Sequence, residues 1–233
     1  MALKTKTFIF FADIPPYPDK EQFTLYKNCG FNTYLFTEDH IAYQNDKELY
    51  KDKIRLAKSL GLDVWIRGYN DNTNNPTYFD KFEDFDLHEF DNITGIYFVD
   101  EPVVAHLDSF ESICVPFFNE KYSDLFWHIN LLPSYTHSGS LCPNNVTDIP
   151  PFEYYINKYA SIVDKVNGNK DISIDHYPLF SKNGKDYVSD TWLYDMTIVS
   201  NKAKSIGAKI TNCVQAFSDP GWRTLSCQNE MDF

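Results

Sequence analysis

Acidic side chains directly follow an apolar run in the segment GIYFVDEP of this 233-residue chain. Asp100 and Glu101 come after four bulky apolar residues, and Pro102 follows them. Because proline cannot continue a strand ladder, we expect a strand to end here with Glu101 held at its end. Burial at such a place raises the pKa of a carboxyl group towards the range of a general acid. Glu101 is therefore the first candidate for chemistry, and an acidic turn that faces water is the alternative interpretation.

Polar residues stand at corresponding places after the other apolar runs. Asp175, at the end of DISID, is the second predicted catalytic residue. The residues that we predict to contact a substrate are Asp13, Glu38, Arg67, Tyr69, Asp100, His128, Asn130, His176, Tyr177, Gln215 and Trp222. For each of them, an ordinary strand end or packing role is the alternative, because every strand must end in something soluble.

Strand-like and helix-like runs alternate along the whole chain. The strand candidates are 7–12, 33–37, 63–67, 94–99, 125–130, 171–175 and 209–215. The helix candidates between them are 20–28, 47–60, 79–90, 107–119, 153–166 and 191–206. Strands that are apolar throughout and separated by helices indicate a parallel sheet covered by helices. The pattern predicts a (β/α)8 TIM barrel, an α/β fold, with about seven strand–helix units and the eighth missing from this chain.

Residues 1–233 are predicted to form a single domain that is truncated at its C-terminus, since neither a linker nor a shift in composition divides them. In a parallel barrel the active site lies at the C-terminal ends of the strands. The polar residues named above lie near the ends of predicted strands or in the segments after them, so the fold would bring them to one face.

Three short segments, GIYFVDEP, DISIDHYP and VQAF, resemble clan-A-type glycoside hydrolases and their uncharacterised bacterial barrel relatives. The resemblance implies a glycoside hydrolase that acts on an oligo- or polysaccharide, with Glu101 as general acid/base after the fourth strand. In those families Asn commonly precedes this Glu, whereas this chain has Asp100. The resemblance covers nearly the whole chain in strand order and is specific at these segments only.

The same resemblance implies a second Glu, the nucleophile, after the seventh strand, where this chain has Gln215. An amide cannot attack an anomeric carbon, so Asp175 becomes the partner of Glu101. Because strands four and six are not neighbours, we expect a wide separation of these two carboxyls, which suits inverting hydrolysis or simple substrate binding.

The other site residues are expected to support this pair. His128 and Asn130 would orient Glu101, and Arg67 would pair with Glu101 or Asp100. His176 and Tyr177 are expected to hydrogen-bond sugar hydroxyls. Trp222 is expected to stack on a sugar ring.

Two further functions stay open at this point. A non-catalytic glycan-binding barrel would explain Gln215. A metal-dependent hydrolase would use acids and histidines at strand ends, such as Asp13, His40, Asp175 and His176, although their spacing is not diagnostic. The sequence has no nucleotide-binding, P-loop, GxSxG or HExxH motif, so we expect no cofactor and assign no metal ligands.

Composition narrows the class of partner. The net charge of −12 argues against nucleic acid and anionic membranes, which need basic surfaces. It fits a neutral or cationic ligand, such as the carbohydrate that the resemblance implies, while a role in solubility is the simpler explanation of the charge. Aromatic residues make up 17%, and most of these rings are expected in the core, while Tyr and Trp residues on loops would suit a sugar-binding cleft. The five scattered cysteines indicate free thiols. The sequence predicts neither a signal peptide nor a transmembrane segment, and it leaves the oligomeric state open.

Overall fold

The computed structural model of the chain describes residues 8–9, 19–36, 46–68, 82, 85–182 and 185–213. Among them are nine strands: β1 Phe8–Ile9, β2 Thr33–Phe36, β3 Asp63–Arg67, β4 Ile93–Asp100, β5 Phe126–Leu131, β6 Asn169–Ile174, β7 Leu179–Lys182, β8 Lys185–Val188 and β9 Lys209–Asn212. The α-helices are α1 Lys20–Asn28, α2 Lys47–Ser59, α3 (Leu107–Ser109 and Val115–Lys121, joined by a π-helical turn Phe110–Cys114), α4 Ser138–Leu141, α5 Pro151–Val163 and α6 Trp192–Ile206. Short 3₁₀ turns lie at Leu87–Glu89 and Val104–His106.

Seven of these strands form one sheet in the order β1-β2-β3-β4-β5-β6-β9. The pairs β1–β2, β2–β3, β3–β4 and β6–β9 are parallel. Each strand therefore lies beside the sheet strand that precedes it in the chain, as in a singly wound (β/α) barrel; a doubly wound sheet would reverse direction at a switch point. The predicted fold class, an incomplete (β/α)8 barrel with seven strands, is confirmed.

Helix boundaries follow from capping residues that the sequence supplies. The side chain of Asp19 accepts from the backbone N–H of Gln22, and the side chain of Gln22 accepts from that of Asp19, which forms a capping box at the start of α1. Asp46 caps α2 in the same way through the N–H of Leu49. At the end of α6, Gly207 has φ +66° and occupies the left-handed cap that glycine adopts without strain.

The chain divides into two compact units. The first contains residues 1–99, 109–128 and 166–170, and the second contains 100–108, 129–165 and 171–233. In the first unit Leu35, Trp65, Tyr97 and Phe126 form a buried cluster, in which the Trp65 ring stacks on Phe126 with centroids 4.9 Å apart. The second unit contains the end of β4, half of β5, most of β6, the hairpin β7–β8, and helices α5 and α6. The prediction of a single domain stays a prediction.

The described residues differ from the sequence expectation at a hairpin and at one predicted helix, and the short helix α4 was not predicted either. An antiparallel hairpin, β7–β8, lies between β6 and α6, where the sequence pattern predicted neither a strand nor a helix. Its sequence signal is the dipeptide Asn183–Gly184, which is common in two-residue hairpin turns, between the runs LFSK and KDYV. These two residues lie outside the described part of the chain. The predicted helix 79–90 is represented among its described residues by the 3₁₀ turn Leu87–Glu89. No helix within the described ranges is long and apolar enough to cross a membrane.

Candidate active site

The backbone of Glu101 is held in an uncommon conformation at the end of β4. Its φ is +46°, in the left-handed region that side chains other than glycine rarely adopt. The Glu101 N–H donates to the carbonyl oxygen of Asn130 at 2.8 Å, which ties this residue to β5. A residue held there costs about 1 to 3 kcal/mol, and such residues cluster at functional sites.

A fully buried tyrosine supports the turn from the other side. The hydroxyl of Tyr155, on α5, donates to the carbonyl oxygen of Pro102, the residue after Glu101. Two hydrogen bonds thus hold the backbone at Glu101 and Pro102, one to a carbonyl oxygen of β5 and one from a side chain of α5. Tyr155 has no distinguishing signal in the sequence, because a tyrosine on an amphipathic helix is ordinarily a core residue.

Asn130, at the end of β5, connects the polar groups of three strands. Its side-chain N–H donates to Oδ1 of Asp100 at 3.0 Å, and its Oδ1 accepts from Ser173 Oγ at 3.1 Å. The thiol of Cys213, after β9, lies 3.6 Å from the same oxygen. Because Oδ1 faces two donors, the amide N–H₂ must face the carboxyl groups, and it also hydrogen-bonds to Asp175. The predicted site residue Asn130 therefore fixes the orientation of Asp100 and Asp175.

Glu101 and Asp175 form a hydrogen-bonded carboxyl pair. Burial, then the charges of Asp100 and Asp175, then the hydrogen bond to Asp175 raise the pKa of Glu101 to about 7. Burial raises the pKa of Asp175 to about 6, while hydrogen bonds from Tyr177, Asn130 and Glu101 oppose that rise. Two carboxyl groups in contact cannot both ionise easily, because their negative charges repel. They therefore share one proton, with Glu101 as donor and Asp175 as acceptor.

This contact corrects one expectation. We expected a wide separation of Glu101 and Asp175 across the ends of the strands, and the side chains instead meet in a hydrogen bond. The reason is local: Glu101 turns towards β5, and Asp175, whose N–H donates to the Leu131 carbonyl at 3.0 Å, is tied to the same strand. Strand β5 lies between β4 and β6, and a backbone hydrogen bond connects each of the two residues to it.

His176, the neighbour of Asp175, is engaged inside the protein. Its Nδ1 lies 2.7 Å from Oδ2 of Asp195 on α6, and both side chains have 0% exposure. Its Nε2 lies 3.0 Å from Oγ of Ser189, and the N–H of Ser134 donates to Asp195 Oδ2 at 3.0 Å. Both ring nitrogens are therefore occupied within the second unit. The contact of His176 with a substrate stays a prediction. The structure shows that hydrogen bonds to Asp195 and Ser189 hold His176, and with it the backbone next to Asp175, in place.

Three more predicted site residues lie in the described part of the chain. Tyr177 is half-buried and hydrogen-bonds to Asp175. Its own burial first, and then the charge of Asp175 and the hydrogen bond to it, raise the pKa of the Tyr177 phenol. His128 belongs to the first unit, where its ring packs against Trp65 and Tyr97 with centroids 5.0 and 5.4 Å away. Arg67 ends β3 in the same unit and is half-buried. The roles predicted for His128 and Arg67 stay predictions.

The other predicted site residues lie outside the described ranges: Asp13, Glu38, Tyr69, Gln215 and Trp222. His40, named for the metal-dependent alternative, lies outside them too. Within those ranges, no group of three or more His, Cys, Asp and Glu side chains is placed to hold a metal ion. Four cysteines have described positions, and their thiols are free: Cys29, Cys114, Cys142 and Cys213.

Comparison with known proteins gives structural neighbours only. No protein-family model matches the chain, and no curated protein is significantly similar in sequence. A β-glucanase from Saccharophagus degradans is 13% identical over 86% of this chain and 75% of its own, with a TM-score of 0.45. An endoglucanase from Pseudomonas stutzeri is 12% identical over 85% and 77%, with a TM-score of 0.42. A family 26 endo-β-1,4-mannanase from Cellulomonas fimi is 11% identical over 88% and 62%, with a TM-score of 0.36.

These neighbours are glycoside hydrolases at low identity. With TM-scores below 0.5 they assign no family to the chain. We therefore derive its function from its own side chains.

Proposed function

We propose that the protein is a glycoside hydrolase acting on a neutral oligo- or polysaccharide, with Glu101 as general acid/base and Asp175 as the second carboxylate. The observation that carries the proposal is the hydrogen-bonded pair of these residues, in which Glu101 holds a proton up to a pKa of about 7. A protonated carboxyl beside an ionised one is the pair of groups that glycosidic bond cleavage requires.

Each member of the pair has a separate task. Glu101 donates its proton to the glycosidic oxygen as the bond to the anomeric carbon breaks, and Asp175 attacks that carbon to form a glycosyl ester. In the second half, Glu101, now a carboxylate, takes a proton from water as that water displaces Asp175. Asn130 and Tyr177 donate to Asp175 and so keep it ionised for this role.

The activity is expected to peak in a narrow range between about pH 6 and pH 7. Asp175 must be ionised and Glu101 protonated, and their pKa values are raised to about 6 and about 7. The rate on a panel of aryl glycosides and neutral oligosaccharides should therefore rise as Asp175 ionises and fall as Glu101 ionises. A flat kcat/KM between about pH 5 and pH 8 would contradict the assignment of the pair. Binding of sugars without turnover at any pH would support the glycan-binding alternative instead.

The product is expected to keep the anomeric configuration of the substrate. Carboxyl groups in hydrogen-bond contact are much closer to the spacing of about 5–5.5 Å in retaining enzymes than to the spacing of about 6.5–9.5 Å in inverting ones. A glycosidic oxygen that enters between them has only to separate the pair by a side-chain rotation of Glu101. Proton NMR of the first product formed, recorded before mutarotation, measures the outcome. An inverted first product would require a water molecule between the carboxyls and would exclude Asp175 as the nucleophile.

A further inference from the structure

The hairpin β7–β8 has exposed aromatic rings that neither the sheet nor the carboxyl pair accounts for. Tyr187 on β8 is 45% exposed, and Tyr135, in the loop after β5, is 46% exposed. Phe180 on β7 lies between them. It is the cross-strand partner of Tyr187, with which it stacks at 5.4 Å and 15°. Its ring also meets the Tyr135 ring edge-on at 6.2 Å and 80°. Tyr135, Phe180 and Tyr187 thus form a continuous row, which we call the aromatic row.

The aromatic row begins beside the candidate active site. The Tyr135 ring packs edge-on against His176, the residue after Asp175, with centroids 4.9 Å apart. Its hydroxyl hydrogen-bonds to the backbone of Tyr177, the next residue along. Burial first, and then the charges of Asp175 and Glu101, raise the pKa of Tyr135 to about 12, so both carboxyls lie within electrostatic reach of this ring.

We propose that the aromatic row is an extended binding site for the neutral pyranose units of an oligosaccharide chain whose scissile bond lies at Glu101 and Asp175. This inference rests on the proposed function, and it adds the residues that would bind the sugar units beyond the scissile bond, so that chains longer than a disaccharide are preferred to a small glycoside. The aromatic row acts in binding only and takes no part in bond cleavage.

The chemistry of the aromatic row and of its surroundings selects this ligand. A pyranose ring with equatorial hydroxyls presents a flat C–H face, and an aromatic ring with its electron-rich face exposed is the surface that it contacts best. Cross-strand stacking of Phe180 and Tyr187 stabilises the hairpin by itself, but it requires no ring at the exposed Tyr135. Near Tyr135, at one end of the aromatic row, stand the acids Glu101 and Asp175, which disfavour a uronic acid or a phosphosugar. A neutral oligosaccharide presents such C–H faces to the rings and carries no negative charge for the acids to repel.

The test measures binding and hydrolysis separately. Titration calorimetry would use neutral β-1,4- and β-1,3-linked hexasaccharides of glucose, mannose and xylose, with the Glu101→Gln variant as background so that no ligand is consumed. At least one hexasaccharide should bind, and a galacturonic acid hexamer should not. Tyr187→Ala in this background should weaken hexasaccharide binding about tenfold, as expected for one lost aromatic contact, and should weaken disaccharide binding less.

Two further variants separate ring contact from hairpin stability. Tyr187→Leu keeps an apolar partner for Phe180 but has no flat ring, and it should lose as much affinity as Tyr187→Ala. Val188→Ala is the matched control: Val188 is 62% exposed on the same strand, and side chains of successive strand residues point to opposite faces. Its affinity should match that of the background variant.

The outcomes for this inference and for the proposed function are distinct. Hexasaccharide binding that depends on Tyr187 supports the inference even if the wild-type protein hydrolyses nothing, in which case only the proposed function fails. Hydrolysis with affinities that are equal in Tyr187→Ala and Val188→Ala would overturn the inference and leave the function standing. Failure of every neutral hexasaccharide to bind would also overturn it.

Discussion

Replacing Glu101 by glutamine is expected to lower kcat about a thousandfold on any glycoside with a poor leaving group that the wild-type protein cleaves. The amide can still donate a hydrogen bond to Asp175, so the shape of the site is kept while the transferable proton is lost. Steady-state kinetics near pH 6.5, between the two raised pKa values, would measure the change. Glu120→Gln is the matched control, since Glu120 is exposed at the end of α3, and it should leave kcat unaltered. Equal turnover by Glu101→Gln and the wild type would remove Glu101 from the mechanism.

The same variant should show that the loss is not caused by unfolding. The pKa of Glu101 is raised from its ordinary 4.5 to about 7, so the folded state resists its ionisation. The contribution of this group to stability is present in full below pH 4.5 and is lost as the pH rises through 7. Glutamine does not titrate, so Glu101→Gln should equal or exceed the wild type in free energy of unfolding at pH 8. Urea unfolding at pH 4 and pH 8 would measure the difference.

Replacing Asp195 by alanine is expected to lower the free energy of unfolding by about 3 kcal/mol or more. The change leaves Nδ1 of the fully buried His176 and the N–H of Ser134 without their common acceptor. A buried polar group with no partner bears the full cost of its lost hydration. Urea unfolding at pH 7 measures the loss.

The control for this variant is Asp108→Ala. Asp108 pairs with Lys158 at 2.6 Å, but its side chain is 75% exposed, so its removal should cost less than about 1 kcal/mol. If the two variants were equally stable, the pair of His176 and Asp195 would not anchor the end of β6.

Much of the fold could be predicted because its signals are local. The predicted helix 20–28 coincides with α1, which Asp19 caps, and the predicted strand 63–67 coincides with β3. Buried parallel strands are apolar throughout, and this pattern needs no knowledge of the remainder of the chain. The hairpin was missed although Asn183–Gly184 indicates it, because a short hairpin between two sheet strands does not fit the regular alternation of the other units.

The candidate site could be predicted only as a set of residue types. Glu101, Asp175 and Asn130 all follow predicted strands, and a parallel sheet places strand ends at one edge. Neither the left-handed backbone of Glu101 nor its contact with Asp175 has a sequence signal, because both depend on hydrogen bonds to β5 from residues about 30 to 45 positions away in the chain. The partner of His176 was missed for the same reason: Asp195 lies on the apolar side of α6, and only the three-dimensional structure identifies its acceptor role.

The positive φ of Glu101 also bears on how this position would change over generations. Glycine adopts that conformation without cost and asparagine with little, so selection for folding alone would favour either of them over glutamate. A library with all residues at position 101, sorted only for soluble folded protein, should be enriched in these two types. Sorted for turnover of a glycoside, it should return glutamate alone. If the proposed activity is the reason for glutamate at this position, relaxing selection for that activity should let glycine or asparagine replace it.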